Sequence, residues 1–255
     1  ISEAVLDAYK TDYKMRDISH DRVQIHRGRR LQSQKNSDTL AVKIAGGPNM
    51  PIFLDVVKNG EDLLNVNMLH CYRFAMQIPM SIDDRMQYVV AFEPRVILDY
   101  PLYRGLLYID QKTLAITRAE FQMDMSDEEK SARFILRKKP VGLRFKLQEA
   151  SYLITYRYQD GKSYLNYLRN TIRFKCDWKK RLFSSTFSTS TEMVMVDRND
   201  RPEERIRMKD AFKQREVFYD MVDAYWNEDF WKDYNIIEPT ESLELAVKKL
   251  KKQKK

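Results

Sequence analysis

The sequence predicts a mainly β, α+β fold: a curved antiparallel sheet or half-barrel of roughly ten strands with a C-terminal helix. Three observations carry that expectation. Apolar residues alternate with polar ones along most of the chain, the period of a half-buried strand. The alternating runs end in turn chemistry such as Asn59-Gly60 and Asp160-Gly161, the latter a pair that tolerates the positive φ of a tight hairpin. Strand patterns do not alternate with helix patterns, so the sheet is expected to be antiparallel rather than built from βαβ units.

The opening segment, Ile1 to Tyr9, fits helix or strand on pattern alone. Ile52, Leu54 and Val56 predict a short strand, and Asn59–Asn67 a short helix after it. Met86, Tyr88, Val90 and Phe92 alternate up to Glu93-Pro94. Leu107 and Ile109 lead through Asp110-Gln111-Lys112 into a return from Leu114 to Met125, with Phe121, Met123 and Met125 on one face. The polar Ser126–Lys130 stretch is a second candidate for a short helix.

The clearest stretch runs from Leu143 to Val196. Leu143, Phe145 and Leu147 alternate with charged and polar residues, and Tyr152, Ile154, Tyr156 and Tyr158 share a face up to the hairpin. Tyr164, Leu168, Ile172, Phe174, Cys176 and Trp178 face the same side on the return, with Arg173, Lys175 and Asp177 opposite. Lys179-Lys180-Arg181 marks a turn, after which Phe183, Phe187, Met193 and Met195 continue the apolar face. After Pro239, Thr240 is placed to cap a helix whose Leu243, Ala246, Val247 and Leu250 form one stripe. No linker divides the chain. One domain over 1–255 is expected, with 218–250 an aromatic plug plus docking helix and 251–255 a frayed basic tail.

Composition excludes several classes. The formal charge is +8, but six lysines between Lys248 and Lys255 supply most of it. Without them 39 basic residues face 37 acidic ones, a body of only +2. That is not the spread excess of a nucleic-acid binder. The longest apolar runs, such as Tyr88–Phe92, are five residues, so no transmembrane helix is expected. An outer-membrane barrel would turn Arg173, Lys175 and Asp177 toward lipid, at high cost. Two cysteines, Cys71 and Cys176, make no disulfide framework and read as buried thiols, with a single bridge the alternative. The chain starts at Ile1 without Met, which reads as a fragment or processed product whose missing N-terminus would hold any targeting information.

The chemistry motifs fail one by one. The residues three after His20, His26 and His70 are Val23, Arg29 and Arg73, so no zinc pattern exists and no metal or cofactor is expected. Gly161-Lys162-Ser163 echoes the end of a phosphate loop, but Tyr156 stands where its first glycine belongs. Asp83-Asp84 and Asp197/Asp200 read as turns. The Asp197 loop lacks both the glycine and the distal glutamate of a calcium loop, Met208 standing in the latter place. Nothing here assembles an enzyme.

Two surfaces remain. Tyr152, Ile154, Tyr156, Ile172, Phe174, Trp178 and Phe187 share faces of consecutive strands and should converge on one concave interior. It is either filled core or an apolar ligand cleft. Aromatics crowd the stretch Phe218 to Tyr234, where Tyr225, Trp226 and Trp231 could form a glycan platform. The favoured reading is that they pin the C-terminal segment to the sheet.

Several phrases run together: Ile1-Ser2-Glu3-Ala4-Val5-Leu6-Asp7-Ala8-Tyr9-Lys10, Asp21-Arg22-Val23-Gln24-Ile25 with Gly28-Arg29, and Ser37-Asp38-Thr39-Leu40-Ala41-Val42-Lys43. Phe92-Glu93-Pro94-Arg95, Tyr108-Ile109-Asp110, Phe174-Lys175-Cys176-Asp177-Trp178-Lys179 and Phe230-Trp231-Lys232-Asp233-Tyr234-Asn235-Ile236-Ile237-Glu238-Pro239 continue them. Over essentially its whole length the chain resembles the C-terminal region of carboxypeptidase-like regulatory-domain-containing proteins of the Bacteroidota cell envelope. The resemblance implies a strand at Ile1–Tyr9 and a setting in the periplasm or at the outer membrane. It carries no peptidase motif and no catalytic residues. The hairpin from Tyr103 to Asp110, with Ala115 to Phe121, is similar at the level of fold to periplasmic lipoprotein carriers, whose half-barrels hold acyl chains. The expectation is therefore a non-enzymatic envelope module that binds a partner protein or a lipid-like, apolar ligand on a curved sheet, without nucleic acid. A glycan-active enzyme or glycan-binding domain and a purely structural spacer are the alternatives.

Overall fold

A computed structural model describes residues 2–30, 42–59, 63, 65–178, 184–199 and 204–234. Eleven strands are present among them. β1 (Ser2–Tyr9) and β2 (Arg22–Arg30) form a hairpin. β3 (Lys43–Ile44) precedes α1 (Met50–Phe53). Then follow β4 (Tyr72–Ile82), β5 (Arg85–Pro94), β6 (Tyr103–Asp110), β7 (Ile116–Met123), α2 (Glu128–Ile135) and β8 (Leu136–Lys138). β9 (Leu143–Gln159), β10 (Lys162–Trp178) and β11 (Ser185–Val194) complete the strands. α3 (Phe218–Met221) and α4 (Glu228–Asp233) end the described chain.

Seven strands make one open antiparallel sheet in the order β11-β10-β9-β7-β6-β5-β4, and β3-β8 is a two-stranded clip beside it. The mainly β, antiparallel architecture is the one the alternation predicts. The turns explain the meander. Asp83 and Asp84 (φ 48° and 58°) and Asp160 and Gly161 (φ 51° and 76°) are both left-handed pairs, whose twist matches that of the strands they join. At the β6–β7 turn, the Asp110 carboxylate accepts bonds from the Lys112 and Thr113 amides and the Thr113 hydroxyl.

One face of the sheet is buried. Phe92, Tyr103, Leu107, Phe121, Ile154, Leu168 and Phe174 belong to a single core that also takes in Met50, Leu54 and Val56 from the 42–59 segment and Ile135 from α2. Aromatic rings fill it in two groups. Phe121 stacks on Tyr152 at 5.1 Å with Tyr103 edge-on to both, and Phe174 lies between Phe145 and Phe187 at 5.1 and 5.7 Å.

Several expectations are corrected. Ile52, Leu54 and Val56 do not form a strand. Pro51 sits at the start of α1, where its fixed φ suits a helix, and turns follow it. All three side chains are still buried, so their alternation reports burial and not extension. A bulge between Leu165 and Tyr167 moves Leu165 into the core and Tyr164 out of it; the Arg198 guanidinium lies over the Tyr164 ring at 3.2 Å. Strands β2 and β4 were not among the predicted ones, although Val23 and Ile25 alternate with polar residues in β2, and Tyr72, Phe74, Met76, Ile78, Met80 and Ile82 alternate along β4. β2 is rich in arginine, and β4 is exposed along nearly its whole length. α2 begins within the polar Ser126–Lys130 stretch that predicted a short helix, whereas the other helical turn, Val66–Cys71, overlaps only the last two residues of the predicted Asn59–Asn67. The Lys179-Lys180-Arg181 turn, Phe183, the Thr240 to Leu250 helix and the basic tail lie outside the described residues.

Candidate functional site

The apolar set predicted as a concave interior is packed core. Ile154 and Phe174 have no exposed surface, Ile172, Tyr156 and Tyr152 are buried, and Trp178 and Phe187 are half-buried at its edge. The 42–59 segment covers this face and is tied to it: the Tyr156 hydroxyl donates to Asp55 Oδ1 at 2.9 Å and accepts from the Val57 amide at 3.3 Å. Met50 of α1 and Leu54 and Val56 in the turns after it pack into this interior; Leu243, Val247 and Leu250 lie outside the described residues.

The hollow is on the opposite face. There the sheet carries a groove of about 740 Å³ crossing β4, β5, β6, β7, β9 and β10. With strands ~4.8 Å apart, six of them span about 24 Å. Strand register explains both its shape and its chemistry. One row across the sheet reads Arg73, Glu93, Arg104, Gln122, Ser151, Thr171, and the next reads Ala75, Ala91, Leu106, Glu120, Leu153, Arg169. Ala75, Ala91, Ser151 and Thr171 are short, while Arg73, Arg104, Arg118 and Arg169 are long, so a depression forms inside a rim of guanidinium groups. Gly105 lets β6 and β7 close up beneath it. A Cβ there would sit 2.0 Å from the Glu120 carbonyl oxygen and 2.6 Å from the Phe121 Cα.

Four arginines face two glutamates in this lining, an excess of two positive charges. Arg118 pairs with Glu120 and lies 5.5 Å over the Tyr108 ring. Burial, with Glu120 nearby, pushes the Tyr108 phenol up. Arg104 bonds Asp124 at 2.5 Å on the rim; burial works against that carboxylate, but bonds from Ser126 and Arg104 hold it below its ordinary range. Arg73 reaches Glu93 at 3.4 Å with both side chains more than half exposed. Across from Arg169 in register stands Glu192, whose carboxylate accepts from the Tyr167 hydroxyl at 3.1 Å. Burial and Glu192 push Tyr167 up to about 12. Arg73 and Arg169, at opposite ends of the groove, are thus the guanidinium groups least committed to a carboxylate.

The other predicted groups are not brought together. Of Tyr225, Trp226 and Trp231, only Trp226 is exposed; Trp231 is buried, donates from Nε1 to the Gly28 carbonyl at 3.3 Å and lies under Arg29, 4.3 Å from its ring centre. Arg27 over Phe230 and Arg30 over Tyr219 repeat that contact along β2. The aromatic segment therefore docks on the β1–β2 hairpin rather than on the large sheet. Gly28 permits it, since a Cβ would stand 2.8 Å from Val222. His26 is 3.5 Å from Asp7, and His70 touches Cys71 Sγ at 3.4 Å; Cys71 and Cys176 are buried free thiols. Among the described residues no three His, Cys, Asp or Glu side chains cluster as metal ligands.

A polar knot joins the hairpin to the sheet. Asp55, without exposed surface, accepts from Lys10 Nζ at 2.5 Å, Tyr13 OH at 2.6 Å, Tyr156 OH and the Lys58 amide. Lys58, equally buried, donates to Thr11 Oγ1, the Asp12 carbonyl and the Asp17 carbonyl at 2.6–3.0 Å. Burial raises the Asp55 carboxyl, yet the charge of Lys10 and the bonds from Lys10, Tyr13 and Tyr156 outweigh it and leave the group below its ordinary range. Asp55 and Lys58 at its centre have no exposed surface, so the knot fastens the two parts.

The groove residues were missed because pattern reading ranks apolar positions first. The signal lay one residue away: Leu153 beside Ile154, Arg169 beside Leu168, Arg118 and Glu120 on either side of Ala119. Compared with family models, curated proteins and solved structures, the chain finds no match.

Proposed function

We propose that this protein is a non-catalytic binding module that holds an anionic ligand or partner surface, bearing carboxylate or phosphate groups, in the groove across β4–β10. The supporting observation is the guanidinium rim around a hollow of short side chains, with Arg73 and Arg169 at its ends. A ligand about 20 Å long could engage both ends, given the strand spacing. Burial of Tyr152, Ile154, Phe174 and their neighbours under the 42–59 segment favours this polar face over an apolar ligand on the other. The carboxylates of the groove favour binding over catalysis, since Glu93 and Glu120 each face an arginine. A role in the periplasm or at the outer membrane, implied by the resemblance, belongs to the same reading.

Binding of labelled protein to polygalacturonate and to poly-L-glutamate at low salt tests it, with native mass spectrometry of protein isolated from its own cells showing what is retained. Saturable binding to either polyanion, weakened severalfold by Arg169→Ser and by Thr171→Glu and screened by salt, is expected. Binding that neither substitution changes, or none to either polymer, overturns the reading. Which polymer binds distinguishes a glycan from a peptide source.

A further inference from the structure

From Lys130 to Gln148 the chain holds seven basic residues and no acidic one. Without this run and the terminal lysines, 32 basic residues face 37 acidic ones, so the positive charge of the body is concentrated here. The run covers most of α2, all of β8 and the start of β9. Three of its cations are offset. Lys130 lies 3.8 Å from Asp127 and donates to the Leu98 carbonyl, Lys146 pairs with Glu128 at 2.9 Å, and Arg144 stands opposite Asp177 in register. The other four are Arg133 in the last turn of α2, Arg137 and Lys138 in β8, and Lys139 just after it. All four are exposed, and none has a carboxylate partner among the described residues.

Beside these cations the chain turns from β8 into β9 at Pro140–Leu143. The Leu143 amide donates to the Pro140 carbonyl at 3.3 Å, and Gly142 has φ 82°, the value that the third position of a type II turn requires. Lys139 Nζ donates to the Leu143 carbonyl at 2.8 Å, which clamps the base of the turn, and the Leu143 side chain is buried in the core. The tip therefore has a fixed shape. It also stands clear of the molecule: Val141 is 101% exposed, and a Cβ on Gly142 would meet nothing within 4 Å. Turns favour Gly, Pro, Asn, Asp and Ser, yet this one projects a branched apolar side chain that buries nothing in the fold. An apolar tip among unpaired cations matches the interface of an anionic bilayer, where lipid phosphates overlie acyl chains.

We propose that the Pro140–Leu143 turn and the flanking β8 strand dock on the surface of an anionic lipid bilayer. Val141 enters the boundary between headgroups and acyl chains, and Arg133, Arg137, Lys138 and Lys139 meet the lipid phosphates. The apolar tip selects this occupant over a soluble polyanion, against which Val141 would gain nothing. Charge selects it over a second copy of the chain, which would bring the same cations. The surface is separate from the groove, since Leu143 and Ser151 are about 25 Å apart along β9 at the usual rise of a strand. The proposal does not depend on a ligand there.

Co-sedimentation with vesicles of equal parts phosphatidylglycerol and phosphatidylcholine tests it, against vesicles of phosphatidylcholine alone. Saturable, salt-screened binding to the anionic vesicles only is expected. One basic residue near an anionic surface is worth about fivefold in binding, so Arg137→Glu should weaken it at least that much. Val141→Asp, at a fully open site, should also weaken it severalfold while the circular dichroism spectrum and melting midpoint stay unchanged. An environment-sensitive dye on Val141→Cys should shift to the blue with anionic vesicles; Cys71 and Cys176 are buried and stay unlabelled in the native protein. Arg169→Ser should leave vesicle binding intact, even if the groove reading fails. Absence of binding, or equal binding to phosphatidylcholine alone, overturns the proposal. So does binding indifferent to both Arg137→Glu and Val141→Asp, as the terminal lysines alone would give, and so does binding lost in Arg169→Ser. If Arg137→Glu weakens binding but neither Val141→Asp nor the dye responds, the cations serve a soluble polyanion and the membrane assignment falls.

Discussion

Replacing Lys10 by Met removes the one cation bonded to the Asp55 carboxylate among the described residues while keeping a side chain of similar length. The pair is buried, with 14% of the Lys10 side chain and none of Asp55 reaching solvent. Breaking such a pair from one side leaves an uncompensated charge, and the cost is about 3–5 kcal/mol against the ~1 kcal/mol of a surface pair. For a chain of this size that is a fall of roughly 6–20 °C in melting midpoint. The acid side of the stability profile should change too. In the native protein the Asp55 carboxyl is held below its unfolded value, so it contributes stability above about pH 4, lost as pH falls through the folded value. Without Lys10, burial raises that carboxyl and the loss begins at higher pH. Urea denaturation from pH 3 to 8 reads both effects, and Asp55→Asn in the Lys10→Met background should recover part of the loss. A penalty under about 1 kcal/mol, or strict additivity of the two substitutions, refutes the picture of a buried charge held by one partner.

Three further outcomes follow from the packing. Gly105→Ala forces a Cβ against the β7 backbone, which cannot swing aside, and should destabilise by at least the 1–3 kcal/mol of an overpacked core, measured by denaturant titration. Trp231→Ala empties a buried site between Gly28 and Arg29 and should lower stability by about 3–5 kcal/mol; an unchanged midpoint would return Trp231 to a surface platform. Cys71 and Cys176 should resist a thiol reagent in the native protein and react when it is unfolded. Both are at most 3% exposed, and burial pushes the Cys176 thiol up; rapid native modification of either would contradict the core as described.

Alternation in Leu143–Trp178 determined by itself two long antiparallel strands and the Asp160-Gly161 hairpin, because side chains on a strand must face opposite sides and one side was plainly apolar. The same logic marked Ile154, Ile172 and Phe174 as interior. It could not tell what lies over that interior. The cover comes from residues 42–59, whose Ile52, Leu54 and Val56 carry a strand's pattern but fold as a helical turn and bends. Nor does local sequence say that Lys10, Tyr13, Asp55 and Tyr156, up to 146 positions apart, meet in one buried knot. The groove was decided in the same way. Arg73, Arg104, Arg118 and Arg169 are ordinary outward arginines on four separate strands, and only the register of β4 through β10 sets them around a hollow of short residues. A strand pattern reports which face is buried. What the opposite face can hold depends on neighbours that only strand pairing supplies.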